Sequence, residues 1–140
     1  MRLVLDTNIV ASGLFWGGNP AQLIDAANLG EIEIFTSCPL LAELSNILAR
    51  RKFAKVVAAS GLSIEELVLG YVALTTIVIP AEITLTIKAD PADDQVLACA
   101  MSANADWIVS GDKHLHSLGG IYQGIKILSP AEATRIIEEQ

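Results

Sequence analysis

At 140 residues the chain can bury a real core within one domain, and a hydrophobic fraction of 52% with mean hydropathy +0.50 supplies the apolar material. No apolar run approaches the roughly 20 residues of a membrane span, so a transmembrane helix is not expected. The net charge of −7 argues against a broad basic nucleic-acid clamp, but does not exclude a nucleic-acid enzyme whose acids converge on divalent cations.

In chain order, Leu3 to Leu5 reads as a strand buried on both faces, ending abruptly at Asp6. Ile9 to Phe15 reads as a helix closed by Gly17-Gly18, and a second helix starts with Asn19 as N-cap and Pro20 in the first turn. Its inward residues are Leu23, Ile24 and Ala27, and Gly30 ends it. Ile32 to Phe35 is the next strand. Pro39 opens a helix capped by Ser37 or Cys38, with Leu40, Leu41, Leu44, Ile47 and Leu48 as its apolar stripe and Arg50-Arg51-Lys52 at its end. A short helix, Phe53 to Ala59, stops at Ser60-Gly61. Ser63-Ile-Glu-Glu resembles a capping box ahead of a helix over Leu67 to Leu74.

Thr75 to Ile79 is β-branched and apolar, a strand stopped by Pro80. Asp90-Pro91 starts a helix running to about Ala103, with Val96, Leu97, Ala100 and Met101 inward. Trp107 to Val109 and Ile125 to Leu128 are further strands, and Ser129 caps a last helix from Pro130 to Glu139. Strands alternating with helices, with no repeat or linker, predict one α/β domain over residues 1–140: three layers, α/β/α, around a mostly parallel sheet of about five strands.

Asp6, Glu43, Asp94 and Asp112 fall at equivalent places, each at or after the end of a strand. Right-handed crossovers put those strand ends on one edge of the sheet, where open α/β sheets bind ligands. Each acid has a plainer reading. Asp6 suits a helix cap, and Asp112 after Gly111 suits a turn. Glu43 lies on the flank of its helix's apolar stripe, which allows either role. Asp90 and Asp93 have structural duties at a helix N-terminus, as cap and as dipole partner, whereas Asp94 has none. Packed carboxylates repel and persist mainly where they hold cations, and all-oxygen ligands favour Mg²⁺ or Mn²⁺ over zinc.

These residues resemble the motifs of PIN-domain ribonucleases, found as VapC-like toxins in toxin–antitoxin pairs. Leu5-Asp-Thr-Asn-Ile-Val resembles the first motif, with its acid at Asp6 and a polar supporting group at Asn8. Ser37-Cys-Pro-Leu-Leu-Ala-Glu-Leu resembles the second, placing its acid at Glu43 with Ser37 in support. Asp93-Asp94-Gln-Val-Leu-Ala-Cys-Ala resembles the third, with the acid on Asp94, and Val109-Ser-Gly-Asp-Lys the fourth, giving Asp112 and the Ser110 hydroxyl. The resemblance covers essentially the whole chain. It implies Mg²⁺- or Mn²⁺-dependent hydrolysis of RNA phosphodiesters by Asp6, Glu43, Asp94 and Asp112 as metal ligands, a homodimer and a cognate antitoxin. The helical stretch Arg50 to Leu74 is longer than in the shortest VapC-like toxins and resembles a separate toxin-like branch.

Among the remaining residues, Arg50, Arg51, Lys52 and Lys55 form the one basic cluster, open to RNA phosphates or to a helix-dipole role, and Lys113 beside the fourth acid is a further phosphate candidate. His114 and His116 read as residues of an exposed loop or helix end. Trp107 reads as packing, and Trp16 as packing or as the rim of a cleft or dimer face. Cys99 reads as core. Cys38 and Cys99 lack metal-ligand spacing, so reduced thiols in a cytoplasmic protein are expected; the start of the chain does not read as a signal peptide. Two other readings compete: a catalytically silent PIN fold that binds RNA or protein as a dimer, and a phosphate-handling domain. A haloacid-dehalogenase-type phosphatase would need Asp where Asn8 stands, and a receiver a phosphoacceptor Asp where Pro80 stands.

Overall fold

The computed structural model describes residues 1–83 and 91–140. The first strand, β1 (Arg2–Leu5), leads into α1 (Thr7–Phe15) and α2 (Asn19–Asn28), followed by β2 (Glu33–Thr36) and α3 (Cys38–Leu48). A 3₁₀ turn, Arg51–Phe53, then joins α4 (Ala54–Ser60), α5 (Ile64–Val72) and β3 (Thr75–Ile77). Beyond the undescribed residues come α6 (Pro91–Ala103), β4 (Trp107–Val109), α7 (Lys113–His116), β5 (Ile121–Tyr122), β6 (Ile125–Leu128) and α8 (Pro130–Glu138). The expected cap at Asp90 lies outside the described residues. Among the described residues no helix is long and apolar enough to cross a membrane.

Among the described residues six strands form one sheet in the order β3-β2-β1-β4-β6-β5, parallel except for β5 against β6. Alternation along β1 explains why its apolar run is uninterrupted. Leu3 and Leu5 face one layer, with Ile34, Trp107, Val109 and the inward residues of α1, α2, α3 and α8. Val4 faces the other, with Phe35, Ile108, Ile127 and α6 residues Val96, Leu97, Cys99 and Ala100. These two cores are the two sides of an α/β/α sandwich.

Several boundaries differ from the sequence reading, each for a local reason. The cap of α2 is Gly18, not Asn19: its φ of 94° suits glycine, and Asn19 and Pro20 both enter the first turn. The α3 cap is Ser37, but its hydroxyl makes no capping bond. That helix stops at Leu48 with no basic residue in its last turn, and Arg50 is extended. The trio Arg50-Arg51-Lys52 therefore does not close α3. The sixth strand, β5, was not expected; it pairs through Gln123-Gly124, both at positive φ as a tight two-residue hairpin requires. The capping boxes at Ser63 and Ser129 form with both reciprocal bonds.

Candidate active site

From β1 the chain crosses to β2 on one side, and β4 lies on the other, so the sheet's topological switch point falls between β1 and β4. Crevices open at the carboxyl ends of strands at such a point. Asp6 follows β1 there, and its backbone N–H donates to the Val109 carbonyl at 2.9 Å, continuing the β1–β4 pairing. Its side chain is only 5% exposed. Oδ1 accepts from the Asn8 N–H at 3.2 Å, capping α1, and Oδ2 accepts from the Ser110 hydroxyl at 2.7 Å. The cap of α1 and a place on the wall of a hollow coexist on one carboxylate.

Ser110, fully buried after β4, relays the geometry: its Oγ also accepts from the Asp112 N–H at 2.9 Å. Asp112 in turn caps α7, with Oδ1 accepting from the His114 N–H at 2.6 Å and lying 3.2 Å from His114 Nδ1. His116 Nε2 sits 2.6 Å from the Ser110 carbonyl and pins the same loop from below. Asp6, Asn8, Ile9, Ser12, Gly111 and Asp112 line a hollow of about 290 Å³. A second hollow, about 240 Å³ between α2 and α8, lies by Glu31 at the opposite edge of the sheet, away from this chemistry.

The α6 helix carries two buried acids. Asp93 and Asp94 are each 4% exposed, about 100° apart around the helix. Asp93, Asp112 and His114 each offer a ligand atom within 4.8 Å of the others. The sequence reading gave Asp93 a dipole role and His114 a loop or helix-end role. Neither signalled this cluster, because each already had a sufficient local explanation; the Asp93-Asp94 doublet itself was the available hint. Glu43 lies half-buried in the second turn of α3, which packs against both α1 and α6. Asn8 is exposed on the hollow, and Ser37 is fully buried at the head of α3. Lys113 is exposed next to Asp112.

Arg50, Arg51 and Lys52 are elsewhere. Helices α1 and α3 both start at the carboxyl edge and run back, about 14 and 16 Å at about 1.5 Å per residue, to where these side chains lie. Trp16, the C-cap of α1, meets Lys52 there and not at the rim of the cleft.

The donor chemistry suits a hard divalent cation. Carboxylates held dry at one sheet edge repel one another, and a bound cation offsets that repulsion. Oxygen donors favour Mg²⁺ or Mn²⁺, and an imidazole at the margin shifts the balance toward Mn²⁺.

The PIN domain family model matches residues 2–114. No curated protein matches the chain. Among solved structures the chain is similar to the crystal structure of FitAcB from Neisseria gonorrhoeae, at 18% identity and a TM-score of 0.49, covering 92% of this chain and 98% of that one.

Proposed function

Because the chain belongs to the PIN domain family, we propose that it is a Mg²⁺- or Mn²⁺-dependent endoribonuclease. The observation that carries this reading is the convergence of acids at the switch point of the sheet: Asp6 and Asp112 joined through Ser110, and Asp93 placed against Asp112 and His114. Asp6, Glu43, Asp94 and Asp112 are the proposed metal ligands, with Asp93 added to them. When bound, the metal would supply a water of lowered pKa and positive charge for the phosphate in flight.

The chain's own residues do the positioning. Ser110 holds Asp6 and the Asp112 backbone at fixed separation, so two acids from different strands keep one geometry. Asn8 and Ser37 are the proposed polar supports, and Lys113 at the edge of the hollow is the phosphate contact. The protein acts, in this reading, as one PIN-like domain over residues 1–140. It is the cytoplasmic toxin of a toxin–antitoxin pair, a homodimer restrained by an antitoxin protein. The sequence motifs support that role.

Purified protein incubated with mixed single-stranded and structured RNA should cleave in Mn²⁺ or Mg²⁺ and stop in chelator. Asp94→Asn and Asp93→Asn, assayed separately, should each lower the rate by at least about a hundredfold. Cleavage that survives chelator and both substitutions would sink the metal-nuclease reading. RNA binding without cleavage in any metal would favour the silent binding module.

A further inference from the structure

The far ends of α1 and α3 meet in a second cluster, remote from the acids. Trp16 stacks on Phe53 with ring centroids 5.1 Å apart and 29° between planes, and Lys52 Nζ lies 5.5 Å from each centroid. Phe53 is buried, but Trp16 keeps 39% of its surface exposed. Lys52 belongs to a run of cations, Arg50, Arg51, Lys52 and Lys55, all exposed, that holds four of the nine Lys and Arg residues in a chain of net charge −7. No acid occurs between Glu43 and Glu65. Among the described residues these cations form no ion pair.

A helix-dipole role does not account for this charge. The last turn of α3 holds no basic residue. Arg51 and Lys52 instead precede α4, and Lys55 lies in its first turn, where the dipole disfavours cations. The chain concentrates positive charge where local structure gains nothing from it. The loop beyond Trp16 is also open: a Cβ at Gly17 would meet nothing within 4 Å.

We propose that Trp16 and the cations at residues 50–55 form a second RNA contact, holding single-stranded substrate away from the reacting phosphate. The proposal rests on the reading of the substrate as RNA. An exposed indole backed by Phe53 offers a stacking surface for a base, and the cations offer contacts for the flanking phosphates. Duplex RNA hides its base faces in the stack and would use only the charge.

The test measures binding of a short fluorescent oligouridylate to the full chain in chelator, by anisotropy and by tryptophan emission. Trp107 is buried, so quenching reports Trp16. Trp16→Ala should weaken binding about tenfold. Gly17→Glu places an anion in open space without strain and should weaken it severalfold, whereas Gly17→Gln should not. Replacing Arg51 and Lys52 by Gln should flatten the dependence of log affinity on log salt by about 0.7 for each phosphate no longer neutralised. Unchanged affinity in Trp16→Ala and Gly17→Glu would overturn the proposal, as would equal affinity for duplex RNA without quenching. Tighter binding of polyglutamate than of oligouridylate would also overturn it, assigning the patch to an acidic protein. Cleavage in Mn²⁺ is scored separately with Asp6→Asn: cleavage with no patch effect removes only the second contact, and quenched binding without cleavage removes only the nuclease.

Discussion

The Ser110 hydroxyl shows how much one buried side chain can decide. It donates to Asp6 and accepts from the Asp112 backbone, so its removal takes a hydrogen bond from each of them. Ser110→Ala is expected to cost about 1–3 kcal/mol in urea denaturation and to slow RNA cleavage as Asp6 and Asp112 lose their common tether. An unchanged urea midpoint would count against the relay. Cys99 illustrates a buried group of the opposite kind. Burial pushes its thiol up to about 12, with the Ser37 hydroxyl acting in the lowering direction, and burial raises the Tyr71 phenol as well. Above the ordinary thiol value of 9.0, the unfolded chain releases a proton that the folded chain keeps. Stability must then fall as pH rises from about 9 toward about 12, by up to about 1.4 kcal/mol per unit for this one group. Urea midpoints taken across that range should show the decline, and Cys99→Ala should flatten its first part.

At the scale of elements, the packing of α1 on α2 rests on a glycine within a helix. Gly13 would gain some helix propensity as alanine, about 1 kcal/mol. Yet its Cβ would lie 2.7 Å from Ile24 Cδ1 and 2.9 Å from the Pro20 carbonyl oxygen. Ile24 can rotate, but the backbone oxygen cannot, so overpacking of about 1–3 kcal/mol wins. Gly13→Ala is predicted to lower the thermal midpoint despite the better helix former; a raised midpoint would mean that α2 shifts freely. The caps show the same interplay of local and distant demands. Ser63 and Ser129 close reciprocal boxes readable from four consecutive residues, whereas Asp6 and Asp112 cap α1 and α7 while facing the cleft. Backbone bonding at Ser129 holds the Glu132 carboxyl below its ordinary range, so that cap weakens as acid protonates Glu132.

For the molecule as a whole, two charged clusters stand apart: acids at the carboxyl edge of the sheet, and a cationic, aromatic patch at the far ends of α1 and α3. If the acids hold a cation only when folded, the cation stabilises the fold by mass action, about 2.7 kcal/mol at a hundredfold excess over its dissociation constant. Mn²⁺ should therefore raise the thermal midpoint of the native chain, and chelator should reverse the rise. Asp93→Asn and Asp112→Asn should each blunt the shift. A shift of full size in both variants would place the ion elsewhere.

The amino-acid sequence by itself determined the alternation of strands and helices, the layered fold, and the position of each acid relative to a strand end. Those features follow from local periodicity and from the fixed handedness of crossovers, which act over short stretches of chain. Tertiary structure alone decided which of these side chains lie together. Asp93 could not be separated from its helix-dipole role, nor His114 from its loop or helix end, until α6 was laid across the sheet beside α7. The same holds for Arg50, Arg51 and Lys52, whose composition suggested phosphate binding but not a place. Two helices run back from the carboxyl edge and bring Lys52 beside Trp16, a contact that no local pattern encodes.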